Sequence, residues 1–173
     1  VYKFSNKKIS EKGILKPISK YGLTKLKTEK YLLKKKFKFK VCIVRIFSYT
    51  GINQKDSFFI PSIYKKFKQN KLINLKNIYH VRDFIDIDDI CSAIKLLYTK
   101  KSKGVYNVGS GKAIKLIKII EFFSNLFKKR FKIDEKNKIT SLVANVSKLK
   151  KLGWRTKKNI KKTLNEYHLN FVN

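Results

Sequence analysis

Methionine is absent and valine stands at position 1, so the chain is expected to be less than a complete translation product. Cysteine occurs only as Cys42 and Cys91, each in an apolar stretch with no second Cys or His at ligand spacing. That pattern fits two buried thiols in a reducing compartment. His80 and His168 stand too far apart in the chain to suggest a metal centre. No apolar run approaches the ~20 residues needed to cross a bilayer, and no charged, apolar and small-residue signal pattern opens the chain. The expected location is the cytoplasm, with no membrane partner.

Acidic residues are also few, 11 against 43 Lys and Arg, for a formal charge of +32. Such an excess points first to a polyanion, because cationic side chains neutralise phosphates and release counterions. Specific phosphate and base recognition, however, leans on the planar guanidinium, and only Arg45, Arg82, Arg130 and Arg155 supply one. The lysines run along the whole chain rather than forming one arm, which fits a general compositional drift better than a specific nucleic-acid partner. A basic nucleic-acid-binding protein remains the alternative from another class. With 173 residues and 43% hydrophobic content, the chain is long and apolar enough for a globular core.

Strands and helices alternate along the sequence, which indicates an α/β fold. Residues 1–20 read as a loop containing Gly13 and Pro17. A helix begins near Tyr21 and carries Leu23, Leu26, Tyr31 and Leu33 among charged residues. Val41 to Ile46 form an apolar, β-branched run, expected as a strand of a parallel sheet covered on both faces. The turn-like "SYTGINQKDS" follows, then a short helix after Pro61 and a weak strand around 72–75. The segment "RDFIDIDDICSAIKLLYTKK" starts extended and turns helical near Asp88, with Asp88 and Asp89 suited to a helix N-terminus. "GVYNVGSGK" reads as a short strand ending in glycines, and "AIKLIKIIEFFSNLFKK" as the clearest amphipathic helix. A short helix stopped by Gly153 and a last helix from about Asn159 complete the chain.

Within this order, Tyr21 precedes Lys25 by four residues, which places both side chains on one helix face. A phenol titrates near ~10; an ammonium one turn away favours the phenolate and suits proton exchange with a sugar hydroxyl or carbonyl. Tyr31/Lys35 and Tyr64/Lys68 share the spacing and read as ordinary tyrosines beside lysine methylenes. Around Tyr21 the chain reads Pro17, Ser19, Tyr21-Gly22, Thr24-Lys25 and Glu29. It continues with Val44-Arg45, "SYTGINQ", Arg82-Asp83-Phe84-Ile85 with Asp89, "YNVGSG" from Tyr106 to Gly111, and Leu152-Gly153-Trp154. This ordered set resembles the extended short-chain dehydrogenase/reductases, the NAD-dependent epimerase/dehydratase family, over nearly the whole chain.

The resemblance implies the C-terminal part of a Rossmann-like parallel sheet plus a small substrate-binding domain, the dinucleotide-binding half being absent. Residues 1–57 would close the Rossmann-like domain and 58–173 would be mainly nucleotide-sugar-binding, with a segment around 83–100 returning to the former. It implies Tyr21 and Lys25 as catalytic and coenzyme-contacting residues, Ser48 and Arg82 as substrate contacts, NAD or NADP as cofactor, a nucleoside-diphosphate sugar as partner, a homodimer, and no metal. A UDP-glucose 4-epimerase-like activity is the default, with a 4-keto-6-deoxy-sugar reductase or a 4,6-dehydratase as alternatives. The structural alternative for Arg82 is an ion pair with Asp83 or Asp86, and the acids at 83, 86, 88 and 89 are expected to cap rather than bind metal.

Two departures from the family pattern stand out. Ser48 replaces an asparagine and Ile52 a proline in the turn after the strand. No G-x-x-G-x-x-G or G-x-G-x-x-G occurs, so the loop that sets a helix N-terminus against the coenzyme pyrophosphate is missing, and "GSG" at 109–111 reads as a turn. The expectation is a C-terminal portion that begins just after the catalytic Ser or Thr, lacks turnover alone, binds NAD poorly, and exposes a sheet edge near Ile43 that limits solubility.

Overall fold

The computed structural model describes residues 1–69, 74–76, 78–133 and 139–170. In chain order these hold α1 (Lys20–Lys34), β1 (Cys42–Ile46), β2 (Ser48–Thr50), α2 (Phe59–Lys68), β3 (Asn74–Leu75), β4 (Val81–Arg82) and β5 (Phe84–Asp86). There follow α3 (Ile87–Thr99), β6 (Gly104–Val108), β7 (Ile114–Lys115), α4 (Leu116–Phe127), β8 (Lys132–Ile133), β9 (Ser141–Leu142), α5 (Ser147–Lys151) and α6 (Ile160–Leu169). The fold is α/β, as the alternation in sequence predicts.

Parallel pairing dominates. β1 runs beside β6 with Cys42 opposite Gly104 and Ile46 opposite Val108, and β2 beside β5 with Ser48 opposite Phe84. β3 pairs with β8, while β4 lies between antiparallel β7 and parallel β9. The β-branched run therefore forms its strand, but full coverage does not follow. Among the described residues β1 pairs only with β6, its first residues are half-buried, and Ile46 is exposed. A strand with one bare edge and a partly wet face is what the sequence reading of an uncovered edge near Ile43 requires.

Two apolar cores carry most of the burial. In one, α2, α4 and α6 pack Ile60, Phe67, Ile120, Phe123, Leu164 and Tyr167 together. In the other, Ile90, Ala93 and Leu97 of α3 meet Tyr106 and Val108 of β6, Leu149 of α5 and Trp154. Each fully buried Leu, Ile or Phe contributes on the order of 1.5–3 kcal/mol. A smaller cluster joins Tyr2, Ile9, Phe47, Ala144 and Val146, so residues 1–20 are not a free loop: Tyr2 bridges Leu15 and Ile9 bridges Ala144.

The structure corrects several local expectations. "SYTGINQKDS" begins as strand β2, because its first residues pair with β5 before the turn starts. α2 starts at Phe59, with Pro61 in the first turn, where a missing N–H costs no intrahelical bond. On α1 the buried face is Gly22, Leu26 and Glu29, while Leu23, Tyr31 and Leu33 are exposed. Cys42 is half-buried and Cys91 exposed, since Cys91 lies on the outer face of α3, away from Ile90 and Ala93. The weak strand expected around 72–75 falls partly outside the described residues.

Of the acid-rich stretch, Asp86 rather than Asp88 caps a helix, and the capping expectation fails for Asp83 and Asp89, whose carboxylates hold backbone N–H groups of distant segments instead. The Asp86 carboxylate accepts from the Asp88 N–H at 2.9 Å, and Asp89 accepts the N–H groups of Lys157 and Lys158 at 2.9 and 3.1 Å. Lys158 donates to Asp88 and Glu166 at 2.8 and 2.6 Å, which pushes its pKa up. Among the described residues no cluster of His, Cys, Asp or Glu is arranged to hold a metal ion, and no helix is long and apolar enough to cross a membrane.

Candidate active site

Ser19 caps α1 by accepting from the Gly22 N–H at 3.0 Å, so one of the orphan donors of the turn that presents Tyr21 is satisfied. Gly22 sits where a side chain would bring Cβ to 3.0 Å from Pro17 Cβ and 3.2 Å from Ser19 Oγ. The tight entry into the helix therefore explains the glycine beside the tyrosine. One turn on, Lys25 holds its Nζ 5.3 Å from the centroid of the Tyr21 ring, a cation–π contact.

Both side chains line a cleft of about 520 Å³ between α1 and β1, together with Ser19, Glu29, Arg45 and Tyr2. Tyr21 is 73% exposed, so its phenol is open to a ligand. The other two tyrosine–lysine spacings take other roles. Lys35 donates to the Tyr31 hydroxyl at 3.1 Å on the open surface, and Tyr64 is buried against Phe123, Phe127 and Tyr167.

Beneath the cleft lies a polar network that sequence reading noted only as separate motif letters. Arg45, buried in β1, donates from Nε to Glu29 Oε2 at 2.9 Å and from Nη2 to Glu29 Oε1, a bidentate pair. Its Nη1 donates to the Tyr2 hydroxyl at 2.5 Å and to the Glu11 carbonyl at 2.8 Å. Tyr2 in turn donates to Asn107 Oδ1 at 2.7 Å. Burial pushes the Tyr2 phenol up, with the Arg45 hydrogen bond pulling against it. The network ties α1, β1 and β6 together and so fixes the helix that carries Tyr21.

Ser48 and Arg82 do not line this cleft. Ser48 opens β2 and is half-buried opposite Phe84. Arg82 makes no ion pair with Asp83 or Asp86, so the structural alternative weighed for it from sequence does not hold. Its Nη1 donates to the carbonyls of Val81 and Thr140 at 2.8 and 2.9 Å, its Nη2 to Thr140 Oγ1 at 3.0 Å, and its guanidinium lies 5.2 Å from the Phe4 ring centroid. Asp83 faces the opposite way. It is fully buried and accepts from the Ser110 N–H and hydroxyl, the Gly111 N–H and the Ala144 N–H, at 2.5 to 3.0 Å. Burial pushes the Asp83 carboxyl up while these donors pull it down. "GSG" is thus a turn wrapped on a buried carboxylate, and Gly109 is needed because a Cβ there would sit 2.7 Å from Asp83 Oδ2.

Comparison with known proteins adds four findings. The family model described as "NAD dependent epimerase/dehydratase family" matches residues 3–109. A GDP-6-deoxy-D-mannose reductase of Pseudomonas aeruginosa is 32% identical over 68% of this chain and 42% of its own length. Among solved structures, RMD from Pseudomonas aeruginosa complexed with NADPH is 27% identical with a TM-score of 0.79, covering 90% of this chain and 57% of that one. A UDP-glucose 4-epimerase of Thermotoga maritima with UDP-glucose shares the fold at 22% identity and a TM-score of 0.84, covering 99% and 61%. The chain spans about half the length of the curated relatives it matches, or less.

Proposed function

The chain belongs to the NAD dependent epimerase/dehydratase family, and from that premise we propose that its protein moves hydride between a nucleoside-diphosphate hexose and NAD or NADP. Tyr21 exchanges the hydroxyl proton, and Lys25 beside it holds the nicotinamide ribose. One observation carries this reading: Tyr21 and Lys25, one turn apart, open together into the cleft between α1 and β1, whereas the two look-alike pairs do not. The coenzyme supplies the hydride chemistry when bound. The chain's own residues orient the sugar, move its proton and neutralise its phosphates.

Arg82 is the proposed diphosphate contact. It is a half-buried guanidinium with no carboxylate partner among the described residues, and burial lowers its pKa, so an anion there relieves an uncompensated charge. Ser48, at the start of β2, is the proposed sugar contact in place of the family's asparagine. Epimerisation at C4 is the default reading. Reduction of a 4-keto-6-deoxy sugar is the second, favoured by the Pseudomonas aeruginosa reductase and by the dTDP-4-dehydro-6-deoxyglucose reductase of Escherichia coli, 29% identical over 90% of the chain. A homodimer formed through the exposed side of α1, in the cytoplasm, belongs to the same proposal.

An active form of the protein containing this chain, offered nucleoside-diphosphate hexoses and their 4-keto-6-deoxy derivatives, decides between the two. An epimerase interconverts C4 epimers with no net coenzyme change. A reductase consumes one reduced coenzyme per sugar. Turnover of neither kind contradicts the proposal.

A further inference from the structure

We propose that Thr140 is a positioning residue for the anion-binding guanidinium of Arg82, held in register by His80, and that this pair makes nucleotide-sugar binding depend on a neutral imidazole. The inference rests on the reading of Arg82 as the diphosphate contact. Thr140 takes two of the three protein hydrogen bonds that Arg82 makes, one at its carbonyl and one at its hydroxyl. Among the described residues, Arg82 Nε and the second hydrogen of Nη2 find no acceptor. These two groups flank one edge of the guanidinium, the edge suited to bidentate contact with phosphate oxygens. The Phe4 ring centroid lies 5.2 Å from the guanidinium carbon, a cation–π contact. Thr140 thus occupies one part of the fork and leaves a complete edge for an anion.

Thr140 is fixed in turn. Its N–H donates to His80 Nδ1 at 3.2 Å, and its carbonyl accepts from the Val81 N–H at 2.9 Å. The first contact requires Nδ1 to carry a lone pair, because a protonated ring has donors only. The groups around His80 favour that state. Arg82 on β4 is the neighbouring cation, Lys115 on β7 is exposed, and Ser141 and Leu142 on β9 do not ionise. Burial first, and then the Arg82 charge, push the imidazole below its ordinary value. The sign follows: with the folded value depressed, the neutral, Thr140-holding form is fully present above about 6.5 and is lost as pH falls through the lower folded value. Protonation then sets two donors face to face and breaks the Thr140 contact.

The test is calorimetric titration of the full 173-residue chain with UDP-glucose, GDP-mannose and dTDP-glucose, whose diphosphate diesters keep both charges between pH 5 and 8. Arg82→Gln should abolish measurable binding of whichever ligand binds. Thr140→Val should weaken it about tenfold, the scale of one charge-assisted hydrogen bond, while Thr140→Ser restores it. Binding to the wild type should hold at about pH 6.5 and fall only as pH drops further, through the depressed His80 value, and His80→Asn, whose side-chain carbonyl still accepts, should flatten that profile even if Thr140→Val fails to fold. If Thr140→Val binds as tightly as wild type, or His80→Asn leaves the pH profile unchanged, the positioning role is overturned while Arg82 stands. If Arg82→Gln binds as wild type, or none of the three ligands binds, the assignment of Arg82 itself fails and takes this inference with it.

Discussion

Glu29 and Arg45 are both more than nine-tenths buried and paired through two hydrogen bonds, so removing one partner strands the other charge. Glu29→Gln is expected to destabilise the chain by about 3 kcal/mol, read as a lower midpoint in urea. The double variant Glu29→Leu/Arg45→Met should recover much of that loss, because an apolar pair leaves no buried charge. Additive losses in the double variant would contradict this account. Glu29 was partly legible in sequence. It falls seven residues after Gly22 and three after Leu26, the spacing of the buried helix face, and an acid there needs a buried cation. Tyr2 was not legible, because Arg45 and Asn107, its hydrogen-bond partners, lie 43 and 105 residues away. Nor was the role of Asp83, whose donors come from two later segments, 110–111 and Ala144.

Elements that bury a continuous face could be read directly. In α4 the apolar residues recur at helical spacing, and Leu116, Ile119, Ile120 and Phe123 are indeed its buried residues. Ile120→Ala, at a fully buried position, should cost about 2–5 kcal/mol. Gly153→Ala tests a different cause. No atom lies within 4 Å of the added Cβ, yet φ is +94°, so a loss of about 1 kcal/mol would be purely backbone strain. Thermal melts distinguish the two, and an unchanged melting temperature for Gly153→Ala would contradict the strained stop. The two-residue strands β4, β7 and β9 left no such trace, since a period of two cannot be established in two residues. The solvent-facing Leu23, Tyr31 and Leu33 misled for the opposite reason: α1 buries only a narrow stripe, and its apolar outer residues imitate a core face.

For the whole molecule, charge and topology pull in different directions. A formal charge of +32 by itself suggests a polyanion binder, while parallel strand pairing, a half-covered β1 and the ordered motifs belong to the NAD dependent epimerase/dehydratase family. The fold class and the helix bearing Tyr21 were visible in the residues because they rest on local periodicity and spacing. The network that steadies that helix was not, because it is assembled from three distant segments. The most direct test of the central claim is the rate of hydride exchange in an active form of the protein containing this chain, compared for Tyr21→Phe and Tyr31→Phe. The account predicts that Tyr21→Phe lowers kcat by about 10²–10⁴-fold and that Tyr31→Phe leaves it unchanged; a Tyr21→Phe enzyme that keeps the wild-type rate would contradict it.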